Sequence, residues 1–319
     1  MNLNKLIEAV KKARTVALVS HKNPDGDTIG CTLALYEALK NAKKEVHVFC
    51  DDELPLNYLL LPYAEVYNKT AALKQYDLSV SVDSADLGRL GNSYTVFQSG
   101  RVTVNIDHHK TNSKYADINL IDPHAVSCAI PMYAVIKALT PKISQHTATL
   151  LYTALYCDSG GFAFQAVDEN ALLLGAELVK AGANAGEISY NFYRKTQKNV
   201  FDLRLRVLNK AKFYHNDRVA ILRFEKGDFD ATATNVSHTD GAINTVLNIE
   251  SVLISFTVAD HGERQFKVSI RSKGSDIDAS QIAGVFGGGG HKNAAGCQMA
   301  GHIEDVLDKL LKTAGDFLP

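Results

Sequence analysis

The sequence predicts an α/β protein of two domains, in which an N-terminal doubly wound, mainly parallel sheet is joined by a helical linker to a smaller α/β domain. Three observations predict this class. Apolar strand-like runs alternate with helical patterns through the first half, the composition becomes helical and charge-mixed over 186–213, and further β-rich runs follow. A chain of 319 residues is long enough for two cores. We therefore predict a first domain over 1–185, a linker over 186–213 and a second domain over 214–319.

The first domain is predicted from apolar runs that are hydrophobic enough to be covered on both faces, as strands of a parallel sheet are. These strand candidates are 15–20, 45–50, 77–82 and 102–106. Residues spaced for one apolar helix face predict the intervening helices. The helix candidates are the N-terminal segment, 28–42, 125–139, 144–157 and 168–181.

The second domain is predicted from three β-rich runs and two helical segments. The runs cover 218–224, 251–260 and 264–272, and the last helix covers 303–317. Four consecutive glycines at 287–290 lie between an apolar helical segment and "HKNAAG". A bare glycine run is typical of a flexible linker, but these flanks favour an ordered loop.

Composition and charge narrow the possible functions. The formal net charge is −1, whereas proteins that hold long nucleic acids carry a basic surplus. No apolar stretch approaches the ~20 residues of a membrane span, and the N-terminus lacks the apolar region of a signal peptide. Five scattered cysteines without CxxC pairs indicate free thiols. We expect a cytoplasmic protein that binds neither long duplexes nor membranes.

Acidic and histidine side chains follow three of the predicted strands, and one more acid ends a predicted helix. Any single aspartate after a strand is usually a cap or a turn residue. The carboxyl ends of parallel strands, however, share one edge of the sheet, where ligands bind. The residues that would meet there are His21, Asp25, Asp27, Asp83, Asp107, His108, His109 and Asp158.

The repulsion among these acids predicts a metal site. Two carboxylates ~4 Å apart repel by roughly 4 kcal/mol at an effective dielectric constant of about 20. Four of them would cost more than the ~5–15 kcal/mol that stabilises a typical domain. Divalent cations relieve this repulsion, and the share of histidine favours Mn²⁺ over Mg²⁺ or Ca²⁺. The number of ligands exceeds one ion's needs, which favours two ions bridged by a carboxylate.

Four motifs in order, "HKNPDGD", "VDSAD", "DHH" and "CDSGGF", resemble those of the DHH phosphoesterase superfamily. The resemblance implies a ligand set for each ion. His21 and Asp25 would hold one metal and Asp27 the other, and Asp83 would bridge both. The remaining ligands of the second metal would be His108 and Asp158. The expected cofactors are two Mn²⁺ ions, with Mg²⁺ or Co²⁺ as substitutes.

The resemblance also implies catalytic roles for Asp83, Asp107 and His109. Asp107 would orient an imidazole, as carboxylates behind metal sites do. His109 would face the substrate phosphate as a hydrogen-bond donor or general acid. We expect Pro24 and Gly26 to turn the chain sharply enough for the acids on either side of Gly26 to reach neighbouring ions.

The glycine run carries a second predicted site. Backbone amides without side chains approach anions closely, and an arginine can clamp a phosphate or carboxylate through two hydrogen bonds. This segment resembles the DHHA1 domain of one branch of the superfamily, which implies that it holds the substrate end away from the metals. The predicted substrate-binding residues are Arg271, Gly288, Gly289, Gly290 and His291.

These expectations favour a Mn²⁺-dependent phosphodiesterase that hydrolyses short oligonucleotides (nanoRNA) or dinucleotides to 5′-mononucleotides. The dinucleotides include pApA and cyclic di-AMP. One alternative is a phosphatase for 3′-phosphoadenosine-5′-phosphate (pAp), and another is a non-catalytic nucleotide- or RNA-binding module. No motif selects among these substrates. The resemblance also allows a homodimer.

Overall fold

The computed structural model describes residues 2–69, 71–239, 241–274 and 276–319, and the side chain of His291 also lies outside the described part. The chain folds into two compact units, residues 1–195 and 196–319. Each unit contains one sheet with helices, which confirms the α/β class. No helix in the described ranges has the length and apolar character needed to cross a membrane.

The first unit alternates strands with helices. Its strands are β1 (Thr15–Ser20), β2 (Glu45–Phe49), β3 (Tyr76–Val82), β4 (Gly100–Asp107) and β5 (Ile118–Ile121). Its helices are α1 (Asn2–Lys12), α2 (Gly26–Asn41), α3 (Tyr94–Gln98), α4 (Ala129–Leu139), α5 (Gln145–Asp158), α6 (Glu169–Lys180) and α7 (Ala185–Ser189). Short 3₁₀ turns lie at Leu56–Leu60, Ala64–Val66 and Leu87–Ser93, and a π turn follows α7 at Tyr190–Arg194.

The five strands form a parallel sheet in the order β2-β1-β3-β4-β5. Both faces are covered because successive residues of a strand point to opposite sides. Leu18 of β1 joins the large core formed with the long helices, whereas Val19 packs with Leu90 and Phe97 on the other face. This topology brings the carboxyl ends of β1, β3 and β4 to one edge.

The sequence predictions for this unit are confirmed in outline. All four predicted strands form, and the predicted helices lie within a few residues of their expected ends. Helix α2 begins at Gly26, two residues before the expected start, because Asp25 caps it. The edge strand β5 was not predicted. Its four residues are all half-buried, so burial does not alternate along this strand.

The second unit contains a six-stranded sheet in the order β10-β11-β9-β8-β7-β6. Its strands are β6 (Lys212–Tyr214), β7 (Val219–Phe224), β8 (Ile254–Asp260), β9 (Gln265–Ser272), β10 (Gly289–His291) and β11 (Ala294–Ala300). Its helices are α8 (Lys198–Leu208), α9 (Lys226–Thr232), α10 (Ala242–Leu247), α11 (Ala279–Val285) and α12 (Ile303–Phe317). Within the described part of this second sheet, only β7 and β8 pair in parallel.

The helical region between the two predicted domains is confirmed, and two details of the second half differ from the prediction. The segment 186–213 is not one continuous helix: the π turn follows α7 directly, an extended stretch at 195–197 separates it from α8, and β6 begins at Lys212. The glycine run is not only a loop, since Gly289 and Gly290 belong to β10 and pair with Gly296 and Ala295 of β11. The domain boundaries given above stay a prediction.

Candidate metal centre

The acidic and histidine side chains at the carboxyl edge of the first sheet form three groups of possible ligands. In each group the ligand atoms lie within 4.8 Å of one another. The groups are His21–Asp25–Asp83, Asp83–His108–His109 and Asp27–His108–Asp158. The first two groups share Asp83, and the last two share His108. All six predicted metal ligands are thus brought together.

His21 directly follows β1 and is oriented for binding a cation. Its Nδ1 lies 2.9 Å from the carbonyl oxygen of Lys22, so Nδ1 carries the hydrogen and Nε2 keeps its lone pair. Nε2 lies 3.6 Å from Asp83 Oδ2 and 3.8 Å from Asp25 Oδ1. It is buried and accepts no hydrogen bond within the described part of the chain. A bound metal ion would satisfy a buried nitrogen of this kind.

Asp83 follows β3 and lies at the middle of the cluster, with its side chain buried. Its backbone has φ of 57°, the left-handed region that is uncommon for residues other than glycine. A hydrogen bond of 2.8 Å from its N–H to the carbonyl of Ile106 ties this turn to β4. Such strain is kept at sites where the position of a side chain matters. Oδ1 lies 3.5 Å from His108 Nε2, too far for a strong hydrogen bond.

His108 follows β4 and joins Asp83 to two further acids. Its Nδ1 lies 3.0 Å from the carbonyl oxygen of Ala125, which leaves Nε2 as the ligand atom. Nε2 lies 3.2 Å from Asp158 Oδ2 and 3.7 Å from Asp27 Oδ2. Asp158 is the last residue of α5, where the helix dipole disfavours a negative charge. A nearby cation would offset that cost.

The two acids on either side of Gly26 have different surroundings. Asp25 caps α2 and accepts hydrogen bonds of 3.1 Å from the N–H groups of Asp27 and Thr28. Asp27 is buried and accepts from the N–H of Cys128 at 2.7 Å and from the hydroxyl of Ser127 at 3.0 Å. These bonds fix both carboxylates before any cation binds, in different ligand groups.

The structural role of Gly26 differs from the predicted one. Its φ is not positive, so the turn does not require glycine. A Cβ atom there would instead lie 2.4 Å from Cys157 Sγ, and one on Gly30 would lie 2.5 Å from the carbonyl oxygen of Leu150. The two glycines therefore let α2 approach α5 closely, which brings Asp27 near Asp158.

When no cation is bound, protons on the histidine and acidic side chains offset the negative charge of the cluster. Burial lowers the pKa of His108, but the neighbouring carboxylates of Asp83, Asp27 and Asp158 raise it well above its usual value overall. Burial and the neighbouring acids raise the pKa of Asp158 to about 7. Burial opposes ionisation of Asp83, yet the imidazoles of His108 and His21 lower its pKa overall. Cation binding is therefore expected to release protons.

His109 differs from the other two histidines because a carboxylate holds its Nδ1. Nδ1 lies 2.6 Å from Oδ1 of the fully buried Asp107, whose other oxygen accepts a hydrogen bond from the Asn112 amide. Burial raises the pKa of Asp107, but these bonds lower it overall, so the carboxylate is ionised. Nδ1 of His109 is then the protonated nitrogen and is not available as a metal ligand. The Asp107 carboxylate thus lies against Nδ1 of His109.

The second unit brings the backbones of its predicted residues together. Arg271 of β9 pairs with Ala294 of β11, which pairs in turn with His291 of β10. The Arg271 guanidinium donates to the carbonyl of Ile270 at 3.0 Å. Cβ atoms on Gly288 or Gly290 would lie within 2.6 Å of backbone oxygens of β11. Strand packing thus explains these two glycines, whereas Gly289 has open space around it.

Comparison with known proteins agrees with this arrangement. The DHH family N-terminal domain matches residues 15–155, and the DHHA1 domain matches residues 216–318. Together they account for more than half of the chain. The chain belongs to the DHH phosphoesterase family.

Relatives of this DHH protein extend over nearly its whole length. It is 29% identical over 318 residues to the bifunctional oligoribonuclease and PAP phosphatase NrnA of Thermus thermophilus, covering 98% of this chain and 94% of that protein. The protein of the same name from Mycoplasma pneumoniae is 25% identical, with 91% and 89% covered. A crystal structure of an exopolyphosphatase-related protein from Bacteroides fragilis superimposes with a TM-score of 0.92 at 23% identity, covering 99% and 96% of the chains.

The sequence did not predict the residues that orient the ligands of this DHH domain. Ser127 and Cys128 hold Asp27 from 100 and 101 positions further along the chain, and no local pattern marks them. Ala125 contributes only its backbone carbonyl to His108. Among these orienting residues, Asn112 is the one with a sequence signal, because it is a polar residue close behind the "DHH" motif.

Proposed function

We propose that this DHH phosphoesterase is a Mn²⁺-dependent phosphodiesterase that hydrolyses short oligonucleotides and dinucleotides to 5′-mononucleotides. The observation that carries the proposal is the sharing of one buried carboxylate, Asp83, between two groups of possible ligands. A shared carboxylate is the usual arrangement where two cations act on one phosphoryl group.

We assign the ligands by group. His21 and Asp25 would hold one Mn²⁺, while Asp27, His108 and Asp158 would hold the other. Asp83 would contact both ions. The mixed imidazole and carboxylate donors suit Mn²⁺, with Mg²⁺ or Co²⁺ as substitutes. When bound, such ions supply an activated water and compensate the charge that develops on the phosphoryl group.

The pair formed by His109 and Asp107 supplies the proton chemistry. The Asp107 carboxylate keeps the hydrogen on Nδ1 of His109 and orients the ring. Nε2 of a protonated His109 would donate a hydrogen bond to the substrate phosphate or a proton to the leaving oxygen. Asp107 would act through His109 and would not contact the substrate.

The substrate class is supported by charge and by relatives. A net charge of −1 does not favour a protein that tracks a long polyanion. Two relatives that match nearly the whole chain are named as oligoribonucleases and PAP phosphatases. We therefore place nanoRNA and pApA first among the substrates, with cyclic di-AMP as a further candidate. In the second unit, Arg271, the run 288–290 and His291 would bind the substrate.

A second candidate function is the hydrolysis of the 3′-phosphate of pAp. The name of these relatives, which joins both activities, favours it. The same ligands would serve both reactions. A non-catalytic nucleotide-binding module is disfavoured because the complete ligand set of the motifs is brought together.

A chromatographic product assay with Mn²⁺ tests the proposal on four substrates at equal concentration: a short oligoribonucleotide, pApA, cyclic di-AMP and pAp. We expect 5′-mononucleotides from at least one of the first three. Asp83→Asn should reduce turnover to background, and Asp230→Asn, an exposed acid of α9, should leave it unchanged. Release of product by Asp83→Asn at the wild-type rate would contradict the proposal.

A further inference from the structure

An aromatic pair lies beside the metal centre and has no role in the chemistry described so far. Tyr58, in the 3₁₀ turn Leu56–Leu60, stacks on Phe192, in the π turn Tyr190–Arg194. The ring centroids are 5.1 Å apart and the ring planes meet at 27°. Both side chains are only half-buried. We call these two rings the aromatic platform.

The platform adjoins both proposed ligand groups. The Tyr58 hydroxyl lies 4.0 Å from Sγ of Cys157, the residue before Asp158. It also lies 3.1 Å from the position that a Cβ on Gly26 would occupy, between the two acids of the first motif. A ligand held at the metal centre would therefore reach the platform within the length of a nucleotide.

The π turn that carries Phe192 is anchored to the same place. The hydroxyl of Tyr193 donates to the backbone carbonyl of Cys157 at 3.0 Å, near the C-terminal end of α5, where this oxygen also accepts from the Gly160 N–H at 3.2 Å. The ring of Tyr193 packs edge-on against Tyr156, with centroids 5.2 Å apart. Single π turns often mark functional sites in helices, and here one fixes the position of Phe192.

The chemistry of the platform selects a flat, apolar ligand. The neighbouring Leu56 and Leu60 are 80% and 64% exposed, so the turn presents apolar surface to solvent. Two stacked rings can accept a third ring on an accessible face, and nucleobases stack on aromatic side chains with little regard to their identity. A nucleobase satisfies both the shape of the platform and its distance from a phosphate at the metal centre.

We propose that Tyr58 and Phe192 form the stacking site for a nucleobase next to the scissile phosphate. This inference rests on the proposed function, because it assumes a nucleotide substrate. The site would increase affinity for any base, and more for purines than for pyrimidines because purines stack over a larger area. A substrate without a base at that position would not use it.

The test compares two dinucleotides, one with adenine at both positions and one whose bases are replaced by hydrogen. Phe192→Leu keeps an apolar side chain but removes the ring, and we expect it to lower kcat/KM for the adenine dinucleotide about tenfold or more, mainly through KM. Its effect on the abasic dinucleotide should be less than twofold. Phe192→Tyr should restore the wild-type values. Phe201→Leu, an exposed aromatic of α8, is the matched control.

Binding gives a readout that does not depend on turnover. A dinucleotide carrying 2-aminopurine loses fluorescence when the base stacks, and we expect wild-type protein to quench it and Phe192→Leu to quench it much less. If wild-type protein hydrolyses neither dinucleotide, the proposed function fails, whereas quenching still decides the stacking site. Equal quenching by both proteins, no quenching by wild-type protein, or equal loss of kcat/KM on both substrates would overturn the inference.

Discussion

Replacing Gly26 by alanine tests how closely α2 and α5 must approach. The new methyl group would lie 2.4 Å from Cys157 Sγ and 2.8 Å from Cys157 Cβ. Ordinary contact requires about 3.4 Å or more, so the helices must separate by roughly 1 Å. Overpacking of this size costs about 1–3 kcal/mol, and the better helix propensity of alanine returns about 1 kcal/mol. We therefore expect a net loss of up to about 2 kcal/mol in the free energy of unfolding.

The same displacement moves Asp27 away from Asp158. A misplacement of about 1 Å in a catalytic arrangement can cost about 100-fold, so we expect kcat/KM to fall about 10- to 100-fold. Urea unfolding measures the stability, and the chromatographic assay measures the activity. Gly227→Ala is the matched control, because a Cβ at this helical glycine of α9 meets nothing within 4 Å.

A second substitution separates packing from other effects. Cys157→Ala removes the closest atom, so the double variant Gly26→Ala/Cys157→Ala should recover part of the lost stability and activity. The reasoning is refuted if Gly26→Ala is as stable and as active as the wild-type protein. It is equally refuted if the double variant shows only the sum of the two single effects.

Two further predictions concern the second unit. Asp228→Asn should lower the free energy of unfolding by about 1 kcal/mol at pH 7, because the buried carboxylate lies 2.6 Å from the half-exposed Lys210 ammonium. Burial raises the pKa of Asp228, but Lys210 and the Glu225 N–H lower it overall, so the difference from wild-type protein should shrink as the pH falls below about 4. The free energy of unfolding of Gly289→Ala should lie within about 0.5 kcal/mol of the wild-type value. Gly290→Ala should lose more than about 1 kcal/mol, because Gly290 has φ of 145° and a Cβ there would lie 2.6 Å from a backbone oxygen of β11.

Thermal and urea unfolding monitored by circular dichroism check both predictions. A stability difference for Asp228→Asn that persists unchanged at pH 3 would contradict the first. Equal stability of the two glycine variants would contradict the second. Activity of Gly289→Ala carries separate information: a loss of activity without a loss of stability would support the proposed contact of this residue with the substrate.

The sequence predicted the elements that depend on local pattern. Strands β1, β3 and β4 are continuous apolar runs and were found, together with the acids that follow them. Strand β10 was missed because three residues rich in glycine have no strand propensity, and their pairing with β11 forms only in the folded sheet. The break at 195–197 contains neither proline nor glycine, so the sequence itself carries no signal that ends the helical pattern there.

The candidate site was predictable where the motifs carry the chemistry themselves. Motif order and strand ends were enough to place the six metal-ligand candidates together. The contact of Gly26 with Cys157 joins positions far apart in sequence and follows from helix packing, so the predicted reason for this glycine was wrong. The aromatic platform joins residues 58 and 192, and only the folded chain brings them together.

The number of bound ions tests the central claim most directly. Equilibrium dialysis of the full chain against Mn²⁺, with the metal counted by mass spectrometry, should give two ions per chain for wild-type protein. Asp83→Asn should retain fewer than two, and Asp230→Asn should retain both. A wild-type protein that binds one ion or none at saturation, or an Asp83→Asn variant that holds two with unchanged affinity, would contradict the assignment of Asp83 as the shared ligand.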